Sequence, residues 1–222
     1  MDAKGAKEAA PLMQRALGNL LRVVPVQGRA GSDLRTACGA LSANAEVLLR
    51  ADATGPPLAK CFDLARTAGA TQPQLAIVRN ATIAETPRQL GAVITKGAIV
   101  NLCLASEGRV ISTMTFTSRA DVSALQADIN RVFAVWEEDA ADAMDQMTYQ
   151  ALVGLQAAII AFLVETARPL PRMVSFQFAA VTPTLVTAMR LYADAGRADE
   201  LRDENKVVHP AFMPPTGRGL SA

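Results

Sequence analysis

The chain has 222 residues, half of them hydrophobic, with 22 basic against 21 acidic side chains and a single histidine. This composition excludes a disordered chain, and a balanced charge without a basic stripe argues against phosphate-backbone binding. Aromatics are scarce at 5%, and an apolar content carried by Ala and Leu points to a mainly helical protein of one large or two small domains.

The first segment reads as helices separated by breakers. Residues 6–24 have helical periodicity and end at Pro25 and "QGRAGS". Asp33 is placed to cap a helix running to about Leu49, and "DATGPP" at 52–57 is a loop. A shorter helix over 58–68 stops at Gly69; residues 70–86, interrupted by Pro73 with Pro87 just beyond, are expected as short helical pieces. From Pro87 a longer helix carries Leu90, Val93, Ile94, Ile99, Leu102 and Leu104. Its Gly91, Ala98 and Ala105 recur at a spacing that lets a neighbouring helix come close. The alternation in "VISTMTF", 110–116, predicts a short extended piece.

Ser118 and Asp121 form a capping-box pattern that opens a helix to about Met144, with an apolar stripe of Leu125, Ile129, Val132, Phe133 and Trp136. Gln146 to Val164 is a run of 19 residues without charge, close to the ~20 needed to cross a bilayer. Gln146, Gln150 and Gln156 share one broad arc, however, which predicts an amphipathic helix over about 147–167 buried against protein. "ARPLPR", 167–172, breaks the chain and marks the expected boundary between a helical body, 1–168, and a C-terminal module, 169–222.

Within that module "MVSFQFA", 173–179, alternates like a strand. Thr182-Pro183 starts a helix carrying Leu185, Met189 and Tyr192, and a second short helix, 197–205, turns Ala198 and Leu201 inward. Val208, Phe212 and Leu220 complete the core from a proline-rich return. The expected fold class is therefore mainly α, with a small α+β end of strand, helix, helix and short return.

Candidate chemistry is sparse. Cys38, Cys61 and Cys103 are far apart, odd in number and lack CxxC spacing, so neither a zinc site nor a disulfide framework is expected, and a reducing compartment fits. The first residues lack the apolar core of a signal peptide. Glu138, Asp142 and Asp145 fall on one face of a continuous helix, read as a solvated charged face rather than a metal or acid–base site. His209, before Pro210 and beside Val208 and Phe212, is read as a hydrogen-bonded structural residue. No GxSxG, GxGxxG, P-loop or HExxH sequence occurs. The expectation is a protein that is not an enzyme and uses no cofactor or metal.

The final quarter carries a resemblance. "LPR" (170–172), "RLYADAGRADEL" (190–201), Asn205, "HPAFMP" (209–214) and Gly217 resemble the C-terminus of the Mu-type phage tail proteins called DNA circularisation proteins. "FTSRADV" (116–122), "FAVWEEDAADAM" (133–144) and "TYQALVGLQAAI" (148–159) extend the resemblance over about the C-terminal half. The same end is similar to a LysM module. That similarity implies a small core of Leu185, Leu191, Leu201 and Val208, with Asn205 bonding the turn after the second helix. Ala179-Ala180 stand where LysM modules carry Gly-Asp, which points to docking on protein rather than on peptidoglycan. The residues expected to build the module or its interaction surface are Leu185, Leu191, Tyr192, Asp199, Leu201, Asn205, Val208, His209, Pro210, Phe212 and Pro214.

The resemblance implies a structural component of a contractile phage or phage-like tail baseplate, in the virion and, during assembly, in the host cytoplasm. Its implied partners are other baseplate and tail-tube proteins, in several copies around a six-fold ring, with neither membrane nor nucleic acid. Two alternatives stand beside it: a DNA-end-binding protein, as the family's label suggests, and a peptidoglycan-binding tail component.

Overall fold

The computed structural model describes residues 1–25 and 27–221. Among them are ten α-helices, a short 3-10 helix and two strands, so the protein is mainly α with a small α+β end. The chain divides into two compact units, Met1–Met114 and Thr115–Ala222.

Unit 1 is all helix. α1 (Ala3–Val23) is its centre and packs against α2 (Gly28–Ala43), α3 (Ala45–Arg50), α5 (Gln72–Ile83) and α6 (Leu90–Ile111), while α4 (Gly55–Thr67) packs on α2 and α6. Ala6, Ala9, Ala10, Met13, Ala16, Leu17 and Leu20 of α1 are buried at helical spacing. Small residues on this face let four neighbours approach, and each fully buried Leu contributes roughly 1.5–3 kcal/mol. Asp2 caps α1 by accepting from the Gly5 amide at 2.9 Å.

Several local expectations shift here. α2 starts at Gly28, so Asp33 lies inside the helix and caps nothing. Residues 70–86 hold one continuous helix, α5, because Thr71 and Gln74 form a capping box and Pro73 sits in the first turn, where its missing N–H costs nothing. α6 begins at Leu90 rather than Pro87, and the two amides that lead into it are held from a distance. The Glu8 carboxylate accepts from Arg88 N at 2.8 Å and Gln89 N at 2.7 Å. Of the three small residues in α6, Gly91 makes the close approach, since a Cβ on Gly5 would lie 3.4 Å from its Cα; Ala98 is exposed. "VISTMTF" is not extended: Val110 and Ile111 close α6, and Ile111 is buried.

Unit 2 begins with an antiparallel pair, α7 (Arg119–Asp142) and α8 (Gln146–Ala167). Ser118 and Asp121 form the anticipated capping box. Val122, Ile129, Phe133 and Ala140 of α7 are buried, as are Leu152, Ile159 and Leu163 of α8. α7 ends at Asp142 and Asp145 caps α8, so Glu138, Asp142 and Asp145 do not lie on one helix face as expected; Asp145 accepts from Thr148 N at 3.1 Å and Thr148 Oγ1 at 2.6 Å.

The expected boundary at residue 169 is not where the compact units divide, and Arg119 shows why. Its backbone amide donates to Pro171 O at 3.0 Å, and its guanidinium donates to Leu170 O and Arg168 O, both at 2.7 Å. The proline-rich break is thereby tied to the start of α7. Beyond it come β1 (Met173–Gln177), α9 (Thr184–Tyr192), the 3-10 turn Ala195–Arg197, α10 (Ala198–Glu204) and β2 (Thr216–Leu220). The short return is thus a full second strand, antiparallel to β1 from Met173↔Leu220 to Gln177↔Thr216.

α6 and α8 are both long and apolar enough to cross a membrane by length and composition, with mean hydropathies of 1.3 and 1.7. Of the apolar window of α6, 44% is buried inside the protein, against 17% for α8. The expectation that the Gln-bearing helix is buried against protein therefore holds for one seam only. Gln156 donates to Asn130 Oδ1 at 3.1 Å, while Ala151, Val153, Gly154, Ala157, Ala158, Ala161 and Val164 are exposed.

Candidate interaction surface

The C-terminal module is closed by its glycines. β2 presents Gly217 and Gly219 on the face toward α9 and α10. A Cβ on Gly217 would lie 2.5 Å from both Asn205 Oδ1 and the Phe176 ring; one on Gly219 would lie 2.1 Å from Tyr192 Oη. Only glycine at these two positions lets Asn205, Phe176 and Tyr192 come this near. Asn205 then fastens helix to strand: its Nδ2 donates to Leu201 O (2.8 Å) and Arg218 O (2.6 Å), and its Oδ1 accepts from Arg218 N (2.8 Å). Arg197 stacks its guanidinium 3.8 Å from the Tyr192 ring centre and pairs with Glu200 at 2.7 Å. Burial pushes the Tyr192 phenol up from its ordinary value.

The buried core is Phe176, Ala188, Leu201 and Met213, with Phe178, Leu191, Tyr192, Ala198 and Val207 packed around it. Leu201, Leu191 and Tyr192 thus lie where the sequence places them. Leu185, Val208 and Phe212 do not: all three are exposed, Val208 at 99% and Phe212 at 67%. Their neighbours Val207 and Met213 are turned inward instead, and Ala188 takes the place given to Leu185. Asp199 is exposed and paired with Arg202 at 2.9 Å; Pro210 and Pro214 are exposed.

His209 is exposed as well. Its Nδ1 accepts from the Ala211 amide at 3.2 Å, and its ring lies 5.2 Å from that of Phe212. The adjoining Pro210 carbonyl accepts from Thr184 N at 2.7 Å and Thr184 Oγ1 at 3.0 Å, so this turn caps α9. Thr182 and Met213 form an isolated bridge that joins the two loops. The start of α9 is one residue later than Thr182-Pro183 suggests, because Pro183 is its N-cap.

α9 is inverted relative to an ordinary core helix. It buries Thr184, Thr187 and Ala188 and exposes Leu185, Val186 and Met189. Val181 and Phe212, on either side of the Thr182–Met213 bridge, are exposed too. Large apolar side chains are thus turned to water on a helix whose inner face is closed. α8 repeats this on a larger scale, since a helix apolar all round is normally covered all round.

Other side chains come together without being foreseen. Arg79 and Glu107, 1% and 0% exposed, pair at 2.7 Å, and Gln72 donates to the same carboxylate oxygen at 3.0 Å. An open surface hollow is lined by Lys4, Lys7, Glu8, Arg88 and Gln89, a mixed-charge setting in which Glu8 already accepts from the Arg88 and Gln89 amides. Among the described residues no group of three or more His, Cys, Asp and Glu is arranged to hold a metal ion. No protein-family model matches the chain, and no curated protein matches it.

Proposed function

We propose that the protein is a structural component of a contractile phage or phage-like tail baseplate, joining neighbouring subunits through its LysM-like C-terminal clip. The observation that carries this reading is α9, whose inner face is sealed while Leu185, Val186 and Met189 face outward. The uncovered face of α8 supports it, because a protein built for assembly leaves such faces for its neighbours. The resemblance of residues 170–222 to Mu-type tail proteins supplies the kind of particle.

The test is incorporation. With Leu185→Asp and Met189→Asp together, the chain keeps its helical circular dichroism and its melting transition but is lost from purified tail particles. If the double variant enters particles as wild type does, or if wild type never enters them, the reading fails.

A second reading is favoured by one feature. The complete strand β2 and the Thr182–Met213 bridge bring the 178–183 and 205–214 loops together, as a peptidoglycan-binding LysM module requires. Co-sedimentation of wild type with purified cell wall, abolished by Phe212→Ala, would favour it over protein docking. Binding of DNA ends predicts retardation on a gel at low salt and its loss as salt rises.

A further inference from the structure

Two exposed surfaces of the chain carry opposite charge that their own surroundings do not answer. In unit 1 the hollow beside α1 is lined by Lys4, Lys7 and Arg88. Glu8 shares it, but both oxygens of that carboxylate are taken by the Arg88 and Gln89 amides. The three cations are exposed and form no ion pair among the described residues. In unit 2, α7 ends in Glu137, Glu138, Asp139 and Asp142, and no Lys or Arg occurs from Val132 to Ala167. Glu138, Asp139 and Asp142 are exposed and likewise form no ion pair among the described residues.

Each set also sits at the end of its helix that disfavours it. A helix carries partial positive charge at its N-terminus and partial negative charge at its C-terminus. Lys4 and Lys7 lie in the first two turns of α1, and Asp139 and Asp142 in the last turn of α7. The helix field therefore opposes both sets, and a partner of opposite sign offsets that repulsion. Apolar side chains stand next in sequence to each. Leu90, Val93 and Ile94, in the first turns of α6, are exposed, Leu90 at 74%. Met144 and Met147, just past α7, are 92% and 84% exposed. Charge around exposed apolar side chains is how protein interfaces are built.

We propose that the chain associates head to tail with a second copy of itself, the acidic end of α7 in one copy seated on the Lys4, Lys7 and Arg88 hollow of the next. The two surfaces differ, so the contact is heterologous, and its repetition closes a ring where the rotation allows. Opposite charges steer the encounter and fix its register, while the methionines and the α6 side chains supply apolar area. Neither α9 nor its apolar face takes part, so this contact stands or falls apart from the function proposed above.

The test is sedimentation velocity of the full chain in about 50 mM and about 500 mM salt, since exposed charges are screened at the higher value. Wild type should sediment faster than a monomer in low salt and return to the monomer in high salt. One variant carries Lys7→Glu with Arg88→Glu, the other Glu138→Lys with Asp142→Lys. All four side chains are exposed, so both variants should keep the wild-type circular dichroism and melting transition. Each alone should be monomeric in low salt. Mixed in equal amounts they should associate again, because the second variant's intact hollow meets the first variant's intact acidic end. A monomeric wild type in low salt would overturn the proposal. So would association that persists in both variants, as the bare face of α8 would give, or a mixture no more associated than its parts. Loss in the first variant alone would assign the hollow to some other anion and overturn it equally.

Discussion

Gly219→Ala tests the closure of the C-terminal clip directly. The new methyl carbon would stand 2.1 Å from Tyr192 Oη and 3.2 Å from Leu201 Cδ1, the first far inside any real contact. Tyr192 cannot swing aside freely, because the Arg197 guanidinium covers its ring at 3.8 Å and is itself held by Glu200. Displacing the ring forfeits that cation–π contact, about 0.5–1 kcal/mol, on top of an overpacking cost of about 1–3 kcal/mol. Among the described residues the module's core cluster holds four buried hydrophobic side chains, so a loss of about 2–3 kcal/mol is a large part of what such a small core supplies. Amide hydrogen exchange over residues 173–220 should therefore speed up by about 30–150-fold, with exchange in α1–α6 unchanged. Tyr192→Phe removes the clashing oxygen. Alone it should cost little, since that buried hydroxyl has no hydrogen-bond partner among the described residues. Combined with Gly219→Ala it should recover much of the protection. Wild-type exchange in Gly219→Ala, or a double variant no better than the single, would refute the claim that the strand is glycine because the helices lie against it.

Two predictions concern unit 1. Glu107→Ala removes the carboxylate that Arg79 meets at 2.7 Å in the core. It should cost about 3–5 kcal/mol in urea unfolding, whereas Arg79→Met with Glu107→Leu should be near neutral or stabilising; equal losses for the two would contradict the buried-pair account. The Arg15 guanidinium, 2.6 Å from Glu85, holds that carboxyl below its usual range. A carboxyl lowered on folding contributes stability above its unfolded value and loses it as pH falls through the depressed one. Comparing urea midpoints at about pH 7 and about pH 3 should show that Glu85→Gln removes a pH-dependent increment. With side chains 54% and 29% exposed, that increment is only ~0.2–1 kcal/mol and shrinks with salt.

What was legible in the sequence is what short-range chemistry decides. The capping box at Ser118 and Asp121, the α7 stripe through Ile129 and Phe133, and the order strand, helix, helix at the C-terminus follow from residues within a few positions of each other. What only the tertiary structure decided are choices between neighbours of similar chemistry, and meetings across long stretches of chain. Val207 is turned inward and Val208 outward, and Ala188 is buried where Leu185 was expected, beside Phe176, Leu201 and Met213. β2 itself exists only by pairing with a strand some forty residues earlier; "TGRGL" has no strand propensity to announce it. Glu8 holding the amides that lead into α6, and Arg79 finding Glu107, both depend on how helices pack, which no local pattern encodes. The residues proposed for docking are those whose apolar character suggested a core. A hydrophobic side chain reports that it will be covered, but not whether its own chain or a neighbour will cover it.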